Sequence, residues 1–155
     1  MNYEMRRKDR QMSREFALDV TDRCEYAIIS MTDSDKAPYC IPLSIVRDGD
    51  FIYFHCAAQG RKVDILRKNP AVCICCVGDT VRQEDKFTTK YQSAVIFGRA
   101  KEVVSDEEKI HALRLLCQRH APSNMKNFDV AIEKSLKITC VWKVKIEEIS
   151  GKCNG

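Results

Sequence analysis

Short apolar segments separated by turn signals recur along most of this chain, and this spacing constrains the fold more than any other feature. The segments with the length and β-branched content of strands are 26–31, 38–46, 51–56, 72–77, 93–104 and 139–149. Asp48-Gly49 stands between two of them as a tight hairpin signal. The βαβ rhythm of a Rossmann fold and its GxGxxG signature are both missing. The pattern predicts a small antiparallel β-barrel, α+β overall and mostly β, with a few flanking helices.

Other segments carry helical periodicity. The sequence predicts helices over 13–23, 60–69, 105–120 and 129–136, the third opened by a capping box that begins at Ser105. It predicts a polar loop over 78–90, and Gly98 is expected to form a bulge or kink in its strand. Pro38 and Pro42 cannot donate to a ladder, so their strand is expected at a sheet edge or to carry a bulge.

The size and composition are those of one ordinary globular domain covering 1–155, with 155 residues of which 45% are hydrophobic. No apolar run approaches the length of a membrane-spanning helix, and the polar N-terminus does not resemble a secretory signal. We therefore expect a cytoplasmic protein without a membrane partner.

Positive charge is concentrated in a basic N-terminal arm, 1–14, whereas the formal net charge of the whole chain is only +4. The basic residues of this arm are Arg6, Arg7, Lys8, Arg10 and Arg14. A nucleic-acid binder usually spreads its charge over the fold, and the arm has no aromatic platform for bases. We therefore expect no nucleic-acid partner, and leave open whether the arm is solvated or contacts an anion or partner.

The chain has nine cysteines, an odd number, and most of them lie inside apolar runs. This is typical of small buried hydrophobic side chains in a reducing compartment rather than of a disulfide framework. Cys73 and Cys76 have a C-x-x-C spacing, but structural zinc normally needs a second such pair. A thioredoxin-type motif would open a helix, and this one lies in a strand-like run. We expect core packing here and no metal.

The most informative stretch is 54–62, where a strand ends, a turn of small residues follows, and a helix begins with Arg61 and Lys62. Cations at a helix N-terminus are unfavourable, because its free N–H groups already carry about half a positive charge. A bound phosphate would reverse that cost, and Gly60 would let the backbone approach it. The alternative is a solvated first turn. His55, just before this turn, is interpreted either as a ligand contact or as a satisfied core histidine.

Several motifs, in this order, resemble the flavin-binding split-barrel proteins related to pyridoxamine 5′-phosphate oxidase, and among them the nitroimidazole-resistance (Nim-type) proteins. The motifs are MRRKDR (5–10), PYCIPLS (38–44), IYFHCA (52–57), GRK (60–62), NP (69–70), YQSAVIFGRA (91–100) and IEEISGK (146–152). The resemblance implies a split barrel and a homodimer with a flavin site at the interface. It implies FMN as the cofactor, with FAD as the alternative.

The resemblance also implies roles for individual residues. The flavin phosphate would lie on Arg61 and Lys62, His55 would be the catalytic contact beside the ring, and Ser93 would lie near the ribityl chain or phosphate. The remaining cofactor contacts would be Ile41, Pro42, Leu43 and Ser44 along the ring edge, and Cys56, where relatives often have Ser or Gly. The residues that grip pyridoxal phosphate in the oxidase are not recognisable, so vitamin B6 oxidation is not expected.

The sequence thus favours an FMN-dependent oxidoreductase that passes electrons from an external donor to a small acceptor such as a nitroaromatic compound. The alternative is a flavin-binding or sensing module without turnover of its own.

Overall fold

The computed structural model describes residues 4–155, so the first three residues of the predicted basic arm lie outside the described part. Its strands are β1 (Gln11–Met12), β2 (Ala27–Thr32), β3 (Pro38–Leu43), β4 (Val46–Asp48), β5 (Phe51–Ala57), β6 (Ala71–Gln83), β7 (Thr88–Glu102) and β8 (Thr139–Asn154). Its α-helices are α1 (Arg14–Arg23), α2 (Arg61–Lys68), α3 (Asp106–His120) and α4 (Phe128–Ser135). Short 3-10 turns cover Lys8–Arg10, Glu84–Lys86 and Pro122–Asn127.

The strands form one antiparallel sheet in the order β3-β2-β6-β7-β8-β5-β4, and β1 pairs with β8. The two ends of this path, β3 and β4, follow each other in the chain, so the sheet curls back on itself. Among the described residues no ladder joins them. The fold is therefore the predicted mostly-β, α+β split barrel, and β3 lies at a sheet edge, as its prolines predict.

Two apolar clusters hold the elements together. The first fills the barrel and combines inward residues of the sheet, such as Phe54 and Trp142, with α1 and the apolar face of α2. The second lies outside the barrel, where α3 and α4 cover β4, β5 and β8 around Tyr53 and Val141. Adjacent residues of β5 therefore contribute to different clusters, because side chains alternate across a strand. No helix of residues 4–155 has the length and apolarity to cross a membrane.

Helix starts follow the predicted capping chemistry. Ser13 accepts a hydrogen bond from the backbone N–H of Phe16 at the start of α1, and Ser105 accepts one from Glu108 at the start of α3. The helix predicted over 60–69 is confirmed as α2, with Gly60 before its first residue.

The segment predicted as one strand over 38–46 is two strands, β3 and β4, which pair with different neighbours. Ile45, between them, is fully buried, and its carbonyl contacts the His120 imidazole at 2.8 Å instead of joining a ladder. A continuous strand was the wrong prediction, because an apolar run shows burial and not which strand it pairs with.

The prediction of a polar loop over 78–90 is also wrong. β6 continues to Gln83 and β7 begins at Thr88, and the two remain paired from Thr80↔Tyr91 to the tip. Both faces of this ribbon are largely exposed, so it lacks the apolar alternation by which half-buried strands are recognised. Backbone pairing holds it together without a buried face.

Gly98 lies at a bulge, as predicted. The β7–β8 register changes from Phe97↔Glu148 to Gly98↔Ile146, which leaves Glu147 as an extra residue on β8. This brings the Lys145 carbonyl so close that a Cβ on residue 98 would lie 2.1 Å from its oxygen. Only glycine fits without moving backbone.

Gly98→Ala is expected to lower the free energy of unfolding by about 3 kcal/mol or more, because backbone must shift to admit the methyl group. Gly78→Ala is the control, since its closest neighbours are atoms of the Gln92 side chain, which can move. Equilibrium denaturation of both variants measures the difference. Equal losses would show that the close approach at Gly98 is relieved at little cost.

Candidate functional site

The start of α2 is an exposed turn in which backbone groups are accessible. Gly60 precedes the helix with φ 127° and ψ 164°, a conformation that L side chains rarely adopt, and space for a Cβ there is open. No side chain caps the N-terminus of α2. The first N–H groups of the helix therefore remain available to an anion.

The opposite side of α2 fixes this arrangement. Val63, Ile65 and Leu66 are buried in the barrel cluster, and Asn69 and Pro70 follow the last turn. A helix anchored by these side chains cannot rotate without exposing them, so its first turn is held at the end of β5.

Arg61 extends from the first turn of α2 towards β3. Its guanidinium lies 4.7 Å from the centre of the Tyr39 ring, and its Nε lies 3.5 Å from a carboxylate oxygen of Asp33. The side chain is 56% exposed. The pKa of Asp33 is lowered mainly by the backbone N–H of Ser34, with smaller contributions from the Ser34 hydroxyl and Arg61. Asp33 and Tyr39 therefore orient Arg61 but leave much of its fork accessible.

Lys62 extends towards β5. Its ammonium lies 5.8 Å from the centre of the buried Phe54 ring. The two cations of the first turn therefore contact different strands: Arg61 packs on Tyr39 of β3, and Lys62 packs on Phe54 of β5. Between them is the start of α2, so an anion at the helix N-terminus could be contacted from both sides.

His55 is the next residue of β5, on the opposite face from Phe54, and its side chain reaches solvent. Its pKa is lowered, first because the surrounding protein disfavours the cation, and further because Lys62 and His120 are positive or can become so. The imidazole is therefore neutral at pH 7, with one nitrogen that can donate a hydrogen bond and one that can accept.

The four residues predicted along a ring edge lie at and just beyond β3. Ile41 and Leu43 are half-buried against the barrel cluster, whereas Pro42 and Ser44 are exposed. Pro42 pairs with Ile28 of β2. The other side of β3 is open among the described residues. This places an exposed strand edge beside the residues that Arg61 contacts.

Cys56 lies opposite Cys140 on the neighbouring strand β8. Burial raises the pKa of the Cys56 thiol, and the nearby Lys62 only partly offsets this. Burial and a carboxylate oxygen of Glu102, 2.9 Å from its sulfur, raise the pKa of Cys140 to about 12. Both groups are therefore thiols at neutral pH, not nucleophilic thiolates. All nine cysteines are free, and residues 4–155 contain no cluster of three or more His, Cys, Asp or Glu that could hold a metal.

Ser93 does not join the other site residues within one chain. It pairs with Val77 and Lys152, just beyond the start of β2, whereas Arg61 lies near Asp33, which follows the end of β2. β2 spans roughly 20 Å between these levels.

Sequence reasoning missed Asp33 and Tyr39. No functional role is predicted for Asp33 from the sequence, and Tyr39 is included only as a member of the predicted strand 38–46 and of the PYCIPLS motif. The signal that could have found them is the pairing of β2 with β3, which brings the end of one beside the start of the other. That pairing is not visible in local periodicity.

The comparisons with known proteins fit this geometry. A curled antiparallel sheet whose two edge strands, β3 and β4, are joined by no ladder among the described residues is a split barrel. The family model for pyridoxamine 5′-phosphate oxidase matches residues 13–153, and the chain belongs to that family.

Solved structures with the same fold share low identity with the chain. A candidate 5-nitroimidazole antibiotic resistance protein from Bacteroides thetaiotaomicron matches with a TM-score of 0.76 at 20% identity, covering 92% of this chain and 86% of its own. The flavocytochrome Anf3 from Azotobacter vinelandii matches with a TM-score of 0.84 at 20% identity, covering 99% of this chain and 73% of its own. An FAD- and heme-binding protein from Mycobacterium smegmatis matches with a TM-score of 0.80 at 22% identity, covering 94% of this chain and 73% of its own. No curated protein matches the chain.

Lys62→Met is expected to raise the pKa of His55 towards its ordinary value, because it removes a positive charge that disfavours the imidazolium. The pKa should remain below that value, since desolvation by the surrounding protein is the larger cause. An NMR titration of the His55 ring protons measures it, with His55→Gln for assignment. Lys68→Met, in the last turn of the same helix, is the control. An unchanged pKa in Lys62→Met would contradict the proximity of the two charges.

Proposed function

We propose that the protein binds a flavin nucleotide, with its phosphate at the N-terminus of α2. The observation that carries this proposal is the convergence of uncapped helix N–H groups, Arg61 and Lys62 around Gly60, where no side chain occupies the space. A phosphate converts the repulsion between these cations and the helix dipole into attraction. Membership of the pyridoxamine 5′-phosphate oxidase family supports the same ligand class.

The isoalloxazine ring would lie along the open edge of β3. The exposed Pro42 and Ser44 give the ring a surface, while Ile41 and Leu43 anchor the strand from behind. Prolines 38 and 42 reduce the donors on this edge, which protects it from pairing with another strand. FMN is the expected cofactor, and FAD would need further room for its adenylate beyond the phosphate.

The flavin would supply reversible uptake of two electrons, and the protein would supply position and surroundings. We propose the reduction of a small acceptor, with nitroaromatic compounds as the first class to test. Arg61 and Lys62 hold the phosphate, β3 supports the ring, and His55 offers a neutral imidazole for a hydrogen bond to bound substrate. Cys56 stays a thiol beside the phosphate and takes no part as a nucleophile.

We also propose a homodimer with the flavin at the interface. Its support is the position of Ser93, roughly 20 Å of strand away from the residues near Arg61 in the same chain. A second copy could bring its own Ser93 to the flavin, as the family resemblance implies. Analytical ultracentrifugation with and without flavin tests the assembly.

Replacing Arg61 and Lys62 together by Ala is expected to weaken FMN binding at least about thirtyfold, because two charge-assisted contacts to the phosphate are lost. Riboflavin, which lacks the phosphate, should bind both proteins equally. Fluorescence titration with each ligand measures the two affinities, and circular dichroism checks the fold.

The matched control is Arg82→Ala with Lys86→Ala at the tip of the β6–β7 ribbon, which removes the same two residue types beyond the opposite end of β2. An equal loss in the control would assign the effect to net charge. Unchanged FMN affinity in the Arg61 and Lys62 variant would place the phosphate elsewhere.

His55→Ala is expected to retain FMN and to change turnover, since the imidazole contacts substrate and not the phosphate in this proposal. Anaerobic reduction by NADH or NADPH, followed by reoxidation with a nitroaromatic acceptor, separates the two half-reactions. The effect should fall on the acceptor half-reaction. Loss of folding instead would support the structural interpretation of this histidine.

The same anaerobic assay separates an enzyme from a flavin-sensing module. Turnover of the wild-type protein supports the oxidoreductase. Stable flavin binding without reduction by either nicotinamide donor, and without reoxidation by any nitro acceptor after chemical reduction, would favour the sensing module.

A further inference from the structure

A second groove lies at the other end of α2, on the outer face of the sheet. Its volume of about 500 Å³ lies in the size range of small-molecule sites. Phe51, Pro70 and Ala100 form its apolar part, and its charged side chains are Arg99, Lys101, Lys143, Lys145 and Glu147. None of these residues belongs to the candidate flavin site.

The cations of this groove lie in directly opposed pairs. Arg99 on β7 pairs with Lys145 on β8, and Lys101 pairs with Lys143. Like charges opposite each other in a sheet repel and destabilise it. Two such pairs in succession on one face are therefore unfavourable unless anions lie near them, and the chain itself supplies only the carboxylates of Glu147 in the groove and Glu108 beside it.

Only part of this charge is neutralised within the chain. Lys143 contacts Glu108 at 2.6 Å, and the Tyr53 hydroxyl donates to the same carboxylate at 3.0 Å. Among residues 4–155 no ion pair within 4.0 Å involves Arg99, Lys101 or Lys145. These three side chains are exposed and remain available to an external anion.

The apolar floor adds a preference for a flat ring. Phe51 is half-buried and lies directly opposite Lys145 in the β5–β8 ladder. The centre of its ring is 5.4 Å from the ammonium of Lys143. Its ring therefore lies beside the cations with the Lys143 ammonium over it, and a nucleobase that stacks on this face would take the place of that ammonium.

We propose that this groove binds a nucleotide, with its phosphates between Arg99, Lys101 and Lys145 and its base against Phe51. The guanidinium of Arg99 matches phosphate in a bidentate fashion, and the two lysines supply point charges. The proposal stands apart from flavin binding, because the two sites lie at opposite ends of α2, roughly 12 Å apart along its axis.

Isothermal titration of the purified protein with ADP tests the proposal, with pyrophosphate and adenosine as the separate parts of the ligand. ADP should bind most tightly, pyrophosphate more weakly, and adenosine without detectable affinity. Arg99→Ala with Lys145→Ala should weaken ADP at least about tenfold and leave FMN affinity unchanged. Phe51→Leu should reduce ADP to the affinity of pyrophosphate and leave pyrophosphate unchanged.

The Arg61 and Lys62 double variant provides the reciprocal control, since it should lose FMN and keep ADP. The Arg82 and Lys86 double variant should keep both. Removing Arg99 and Lys145 should not lower the free energy of unfolding of the ligand-free protein, because it relieves repulsion.

Several results would overturn the proposal. ADP binding that disappears with Arg61 and Lys62 and survives without Arg99 and Lys145 would place ADP in the flavin site. Equal affinity for ADP and pyrophosphate would leave an anion site without base recognition. No ADP binding at millimolar concentration would show that the opposed cations are merely solvated.

Discussion

The burial of one face of α2 is the constraint on which the candidate flavin site depends. Val63, Ile65 and Leu66 lie in the barrel cluster, and the helix can keep them there in only one orientation. That orientation points the first turn at the end of β5 and the edge of β3. Arg61 and Lys62 thus reach separate strands because apolar packing places the helix, and Asp33, Tyr39 and Phe54 then orient the two side chains. The same packing leaves the helix N-terminus without a cap, which a stability argument alone would disfavour.

Two parts of the surface differ from the rest in where their positive charges lie. Elsewhere cations face carboxylates, as Arg47 faces Asp22 and Arg67 faces Glu102. At the start of α2 and on the outer face of β7 and β8, cations lie where positive charge is already present, although Arg61 also faces Asp33 and Lys143 faces Glu108. Exposed ion pairs contribute little to the free energy of unfolding, so an exposed cation without such a pair lowers it only slightly. The local conflict remains, and conflicts between local preference and structure concentrate at functional sites.

Features of this fold that depend on the chemistry of a single residue could be predicted from the sequence. Pro42 excludes a central strand, Gly98 marks the bulge, and Gly60 marks a turn before two cations, and each was predicted from its own chemistry. The paired ribbon beyond Val77 was not predictable in this way, because its stability comes from a partner strand and not from a buried face. The contact of Arg61 with Asp33 and the opposed cations of β7 and β8 depend on strand register. Register is a long-range property, and local periodicity does not contain it.

The neutral state of His55 links the two halves of the candidate site. Lys62 contributes to the lowered pKa of this imidazole, and Lys62 is also one of the cations proposed to hold the phosphate. An anion bound beside Lys62 offsets the positive field that reaches His55, so occupancy of the phosphate site favours protonation of the imidazole. By reciprocity, a protonated His55 strengthens the binding of the anion. In the proposed site, the proton affinity of His55 would therefore depend on whether the phosphate beside Lys62 is bound.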